Sequence, residues 1–253
     1  GKYGKNLMEE VSRYALVAAQ IARDKSDFDI IHAHDWLAYP AGIAAKEISG
    51  KPLVAHIHAT EFDRSGESVN KPVYDIERAG MHAADHVVAV SHLTRKVVIE
   101  KYGVHPDKVS VLHNAVLDAS IIKSDTRKHV PEKIVTFLGR ITFQKGPEYF
   151  VEAAKKVIDR DPNVRFVMAG NGDLLNRMIE RVAELGMGTK FHFTGFLKGK
   201  DVDDMYAISD VYVMPSVSEP FGIAPLEAVR HNTPVIISKQ SGVAEVLVNA
   251  IKV

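Results

Sequence analysis

Two glutamates stand eight residues apart in SEPFGIAPLEAVRHNTPVI, Glu219 just ahead of a predicted helix over 222–231 and Glu227 inside it. Pro220, Phe221 and Gly222 form the tight turn into that helix, and the N–H groups of its first turn, from Phe221 through Ile223 to Ala224, lack intrahelical acceptors. Such donors carry partial positive charge and suit sugar hydroxyls or phosphates. Glu227, two turns on, has the reach to accept two hydrogen bonds from a vicinal diol. A single helical glutamate is far more often a solvated surface residue, so the weight lies on the pair. In FLGRITFQKG, a strand ends at Gly139, and Arg140 and Lys145 follow before a helix that begins near Pro147. A planar guanidinium and a mobile ammonium at the carboxyl end of a strand can grip a diphosphate, although either alone reads as an ordinary surface cation.

Histidine is abundant, 12 residues in 253, and forms two H-x-H pairs, His32 with His34 and His56 with His58. Each pair closes a predicted strand, where alternate residues share a face. Imidazole is the commonest metal ligand, and Asp35 and Glu61 are near in sequence, which raises a metal site. The spacing of a metal hydrolase, H-x-H-x-D-H, is not met, and a sugar-binding or core role is preferred; no metal is expected. His58 is the strand-end residue placed nearest the chemistry. AGNGD puts Gly170 and Gly172 in a turn between strand and helix but lacks the third glycine of a dinucleotide fingerprint. SGVAEV sets Ser241 and Gly242 beyond another strand, where small residues let amides approach a phosphate or simply make a turn.

These residues need parallel strands to gather their ends. Short apolar runs at 28–33, 52–57 and 86–90 alternate with amphipathic stretches at 7–24, 38–49 and 92–102. The rhythm resumes with KIVTFLG, VRFVMAG, KFHFTG, VYVMPS and TPVIIS, separated by helical segments such as 147–160 and 173–186. Strands apolar on both faces call for helices on either side, an α/β fold of two doubly wound units. The charged, proline-closed stretch 115–131 separates them, giving domains at 1–117 and 118–253. The chain opens on a helix without a preceding strand, and the residues after the last strand read as helical. Both ends are therefore expected to be truncations.

Composition removes several classes. With 32 basic against 32 acidic residues there is no field to hold a nucleic acid. No cysteine means no disulfide, thiolate metal site or thiol nucleophile, in keeping with a reducing cytosol. No apolar run approaches the roughly 18 residues of a membrane span, so a soluble, cytoplasmic protein is expected.

Taken together, E-P-F-G-x-x-x-x-E from Glu219 to Glu227 and G-R-x-x-x-x-K-G from Gly139 to Gly146 resemble the retaining group 1 glycosyltransferases of the glycogen-synthase-like, family-four type, built from two Rossmann-like domains in the GT-B architecture. HAHDW, HIHATE, HNTPVI and SGVAEV match further blocks of that family in order, so the resemblance spans nearly the whole chain. It implies transfer of a sugar from a UDP- or ADP-sugar to a glycan or small-molecule acceptor, with retention, without a metal, in a cleft between the domains. It further implies that Arg140 and Lys145 bind the diphosphate and that Glu227 holds the ribose. Glu219 and the amides of Phe221, Gly222 and Ile223 would hold the sugar, His58 would meet it from the other domain, and Gly170, Ser241 and Gly242 would line the donor site. The family's glycine-rich first loop has no counterpart in residues 1–27. Ala115 and Asn232 stand where glycine is usual, asparagine being the milder change because it tolerates a left-handed backbone. Two rivals remain, a histidine-dependent metal hydrolase and a non-catalytic nucleotide- or glycan-binding fragment.

Overall fold

The computed structural model describes residues 6–25, 27–117 and 126–253, which fall into two compact units, Gly1–His113 and Asn114–Val253. The expected boundary at 117/118 abuts residues 118–125, outside the described residues. Ala115, expected to bear a strained positive φ, does not: among the described non-glycine residues only Asp35 and Asn232 have one, each at 59°.

The first unit runs α1 (Leu7–Asp24), β1 (Ile31–His34), α2 (Asp35–Ser49), β2 (Leu53–Ile57), α3 (Glu61–Ser65), α4 (Lys71–Ala83), β3 (His86–Ala89), α5 (His92–Tyr102) and β4 (Val109–Val111). Its sheet is parallel throughout in the order β1-β2-β3-β4, with His34 opposite His56. Leu53, Ala55, Ile57 and Val87 are buried in the strands and pack with Tyr39, Met81 and Tyr102 from the helices. Burying each large apolar side chain contributes about 1.5–3 kcal/mol.

α3 and α4, which the sequence reading passed over, brace the end of β2. Thr60 and Asp63 make a reciprocal capping box at the start of α3, satisfying two otherwise unpaired amides. Glu77 from α4, fully buried, receives the Arg64 guanidinium, the Tyr102 hydroxyl and the Glu61 N–H. Burial raises the Glu77 pKa, opposed chiefly by Arg64. The segment after His58 is thus tied down by a buried polar network as well as by the packing of Phe62 on Tyr74 and Tyr102.

The second unit contains β5 (Lys133–Leu138), α6 (Pro147–Ile158), β6 (Val164–Ala169), α7 (Leu175–Glu184), β7 (Phe191–Gly195), α8 (Lys200–Ile208), β8 (Val211–Met214), α9 (Ala224–Arg230), β9 (Val235–Ile237) and β10 (Ile251–Lys252). All pairings are parallel, in the order β10-β9-β8-β5-β6-β7. The final residues expected to be helical are instead a short strand beside β9, after a 3-10 turn at Gly242–Glu245. Phe150 of α6 centres the core, 5.5 Å from the Phe166 ring and 5.8 Å from Phe191. From β5 the chain winds one way through β6 and β7, then returns to add β8 on the other flank. The carboxyl ends of β5 and β8 therefore border the crevice where ligands settle in open α/β sheets.

Candidate functional site

At that switch point the loop after β5 turns once through Phe143–Lys145, and Gly146 ends the turn at φ 63°. A Cβ at Gly146 would stand 2.2 Å from the Pro215 carbonyl oxygen, so only glycine lets the loops after β5 and β8 lie together. Val217 N–H donates to the Gln144 carbonyl at 2.9 Å across the same seam. The seam delivers Lys145 to Glu219, and the two form an ion pair to which Ser216 Oγ adds a hydrogen bond of 3.1 Å. Glu219 is only 6% exposed. Its backbone is fixed on both sides, N–H to Gln240 at 3.1 Å and carbonyl from Gly242 N–H at 2.9 Å.

That last bond engages the Gly242 amide, expected to be open to a phosphate, on the Glu219 backbone carbonyl. Ser241 is buried as well, and its hydroxyl donates to the Ser238 carbonyl at 2.6 Å. Phe221, expected to present an outward amide, has a buried ring, and its carbonyl accepts from Val243 at 2.7 Å. Gly222, Ile223 and Ala224 make no backbone N–H bond among the described residues, leaving their donors at the start of α9. Ile223 is exposed there.

Glu227 is half-buried and accepts from the Tyr206 hydroxyl at 3.3 Å. Tyr206 packs edge-on to Tyr212, whose hydroxyl donates to the Leu138 carbonyl at the end of β5 at 3.2 Å. Burial raises the Tyr212 pKa, and the charges of Glu219 and then Glu227 raise it further, so both carboxylates act on one phenol. Burial raises the Tyr206 pKa likewise, so both tyrosines are un-ionised, and Tyr206 steadies Glu227. Sequence reasoning missed them, since only the sheet order brings α8 and β8 beside β5.

Arg140 lies on the other flank of β5. It lines a crevice of about 220 Å3 with Leu138, Gly139, Gly170, Asn171, Phe196 and Leu197. Among the described residues its guanidinium has no ion-pair or hydrogen-bond partner. The Phe196 ring is 69% exposed, with the Lys198 ammonium 5.7 Å above it. Gly170, at φ 141°, is where a Cβ would come within 1.8 Å of the Gly139 carbonyl oxygen, so the loops after β5 and β6 cross backbone on backbone. Its glycine answers to that crossing. Lys145 and Glu219 thus meet directly, Glu227 is held by Tyr206, and Arg140 faces the neighbouring crevice.

In the first unit the two H-x-H pairs gather at the ends of β1 and β2. His56 Nδ1 is 3.2 Å from His32 Nε2, and His34 Nδ1 is 2.9 Å from His58 Nε2. The rings are 4.3–5.3 Å apart. Burial, then the neighbouring imidazoles, hold the His56 pKa down to about 4, and His32 is lowered for the same reasons, so both are neutral at neutral pH. Asp35 and Glu61, considered as ligand partners, are spent elsewhere. Asp35 accepts from the amides of His58 at 2.8 Å and Ala59 at 3.4 Å, and Glu61 pairs with Arg64 and Ser65.

Two parallel-sheet Rossmann-like units, with fixed cations and carboxylates at the switch point of the second, define the GT-B class of architecture. The family model described as Glycosyl transferases group 1 matches residues 118–252, and that described as Glycosyltransferase Family 4 matches residues 6–118. The chain belongs to the group 1 glycosyltransferases. It is 34% identical to an uncharacterised glycosyltransferase of Methanocaldococcus jannaschii, over 87% of this chain and 60% of that protein. It is 26% identical to a glycogen synthase of Mycobacterium tuberculosis, over 87% of this chain and 54% of the other. The fold matches Anabaena HepE, solved with UDP and glucose, at a TM-score of 0.79 and 21% identity, covering 99% of this chain and 70% of HepE. It matches sucrose-phosphate synthase of Thermosynechococcus elongatus at 0.80 and 20%, covering 98% and 66%. The chain thus spans little more than half the length of these two sequence relatives. No helix among the described residues is long and apolar enough to cross a membrane.

Proposed function

We propose that the protein transfers a sugar from a UDP- or ADP-sugar to a glycan or small-molecule acceptor with retention of anomeric configuration and without a metal ion in the donor site. The observation that carries this reading is the Lys145–Glu219 pair at the switch point, with Arg140 on the other flank of the same strand end. A nucleoside diphosphate is a stable leaving group, and departure needs fixed positive charge more than a proton. Arg140 and Lys145 supply that charge, together with the amides of Gly222, Ile223 and Ala224. The crevice beside Phe196 and Leu197 suits a planar base, and Glu227 a ribose diol. Glu219, whose carboxylate is held by Lys145 and Ser216, is assigned to orienting sugar hydroxyls rather than to attack on the anomeric carbon. The departing phosphate then takes the acceptor's proton on the face it leaves. His58, whose amide is held by Asp35, is assigned to the sugar or the acceptor. We further assign the domains to 1–117 and 118–253, and the working compartment to the cytoplasm.

A thermal-shift screen of UDP-, ADP- and GDP-sugars with and without chelator, followed by product analysis on an acceptor panel, tests this reading. Stabilisation by one nucleotide family, with transfer that is unaffected by chelator and lost in His58→Ala, is expected. Nucleotide binding without transfer on any acceptor would leave a binding protein instead, and chelator-sensitive hydrolysis would favour the metal hydrolase.

A further inference from the structure

The imidazoles of the first unit have a geometry that sugar binding does not require. His32, His34 and His56 each bring a ring nitrogen within 4.8 Å of the others'. Within that group His56 Nδ1 and His32 Nε2 are 3.2 Å apart. With zinc–nitrogen bonds of 2.0–2.1 Å, two ligand nitrogens of a tetrahedral site lie about 3.3 Å apart. The spacing found is close to the edge of such a tetrahedron.

A second observation is independent of that spacing. His56 is 7% exposed, and its Nε2, the ring nitrogen that does not face His32, is buried with no hydrogen-bond partner among the described residues. Whichever tautomer the ring adopts, a polar atom is stranded, at a cost of about 1–3 kcal/mol unless something absent from the protein chain meets it. The scaffold is also stiff where ligands should be. His34 and His56 are opposite one another in the parallel ladder, and the Asp35 carboxylate clamps the amides of His58 and Ala59. His32 and His34 are exposed, so an ion has a way in from solvent.

We propose that His32, His34 and His56 form a binding site for one divalent transition-metal ion, with water completing its shell. An all-imidazole donor set selects zinc, cobalt, nickel or copper and discriminates against magnesium and calcium, which take oxygen ligands. The site is separate from the donor chemistry at Lys145 and Glu219 and goes beyond the transferase reading.

The test is calorimetric titration of the metal-stripped full chain with zinc, and separately with cobalt, followed by the visible spectrum of the cobalt form. One equivalent of zinc binding at micromolar affinity is expected, with an intense tetrahedral cobalt band and no binding of magnesium. His32→Ala and His34→Ala change exposed side chains, so folding is retained, and each should weaken zinc at least about tenfold. His105→Ala, at an exposed histidine outside the cluster, should leave it unchanged. Absence of saturable zinc binding, or binding indifferent to both His32→Ala and His34→Ala, overturns the site. Nucleotide-dependent stabilisation, measured on the same samples in chelator, reports on the transferase reading separately.

Discussion

Lys145 and Glu219, 74 residues apart in sequence, form an ion pair across the seam between the loops after β5 and β8. The lysine side chain is 21% exposed and the glutamate 8%, so water screens the pair weakly.

Lys145→Ala leaves a buried carboxylate with only Ser216 and destabilises the second unit by about 3 kcal/mol. Urea unfolding measures the loss, and a double-mutant cycle with Glu219→Gln should return much of it. The single variant should also lose diphosphate binding.

Arg140→Ala should leave stability within about 0.5 kcal/mol, because the guanidinium has no partner among the described residues. Binding of a nucleoside diphosphate should weaken by about 2 kcal/mol. Thermal melting and calorimetry together separate these effects, and an unchanged affinity would remove Arg140 from the site.

Glu227→Ala should reduce affinity for a nucleoside diphosphate more than for free pyrophosphate, since the carboxylate is assigned to the ribose. Tyr206→Phe removes the 3.3 Å bond that steadies Glu227 and should give a smaller loss of the same kind. Equal losses for both ligands would remove the ribose assignment.

Asp210 gives the pH prediction. Burial pushes its pKa up, but hydrogen bonds from Lys128, the Ile134 N–H and Lys133 outweigh it and hold the carboxyl at about 2. Because the folded pKa is depressed, its contribution of about 2 kcal/mol is present above the unfolded value near 4 and disappears as pH falls through 2. Acid titration of stability should show Asp210→Asn less stable than the parent protein at pH 7, with the difference shrinking below pH 4 and vanishing only below pH 2.

Much of this architecture was legible because parallel strands covered on both faces must be continuously apolar. The stretches KIVTFL and VRFVMA declared β5 and β6, and the periodic pattern marked α1 and α5 to the residue. α3 is hidden because EFDRSGESVN is polar and broken by glycine, and α4 because its buried face carries an acid, Glu77, that is buried by pairing rather than by hydrophobicity. β4 and β10 are too short to have a period. In the site, Lys145 and Glu219 could be nominated by type and by their place at strand ends, as could Asn232, whose positive φ was expected. Tyr206, Tyr212 and Phe196 could not, since their roles arise only once the sheet order is known. The engaged amide of Gly242 was equally hidden, because a turn's sequence does not reveal which carbonyl will accept from it.

The contact of Gly170 with Gly139 has a bearing on how this sequence can drift. Any side chain at position 170 must push apart two loops that carry opposite walls of one crevice, so drift there is checked by geometry before chemistry is consulted. A saturation library scored by folding alone should tolerate nearly everything at the neighbouring Asn171 and Asp173 while admitting almost nothing at Gly170.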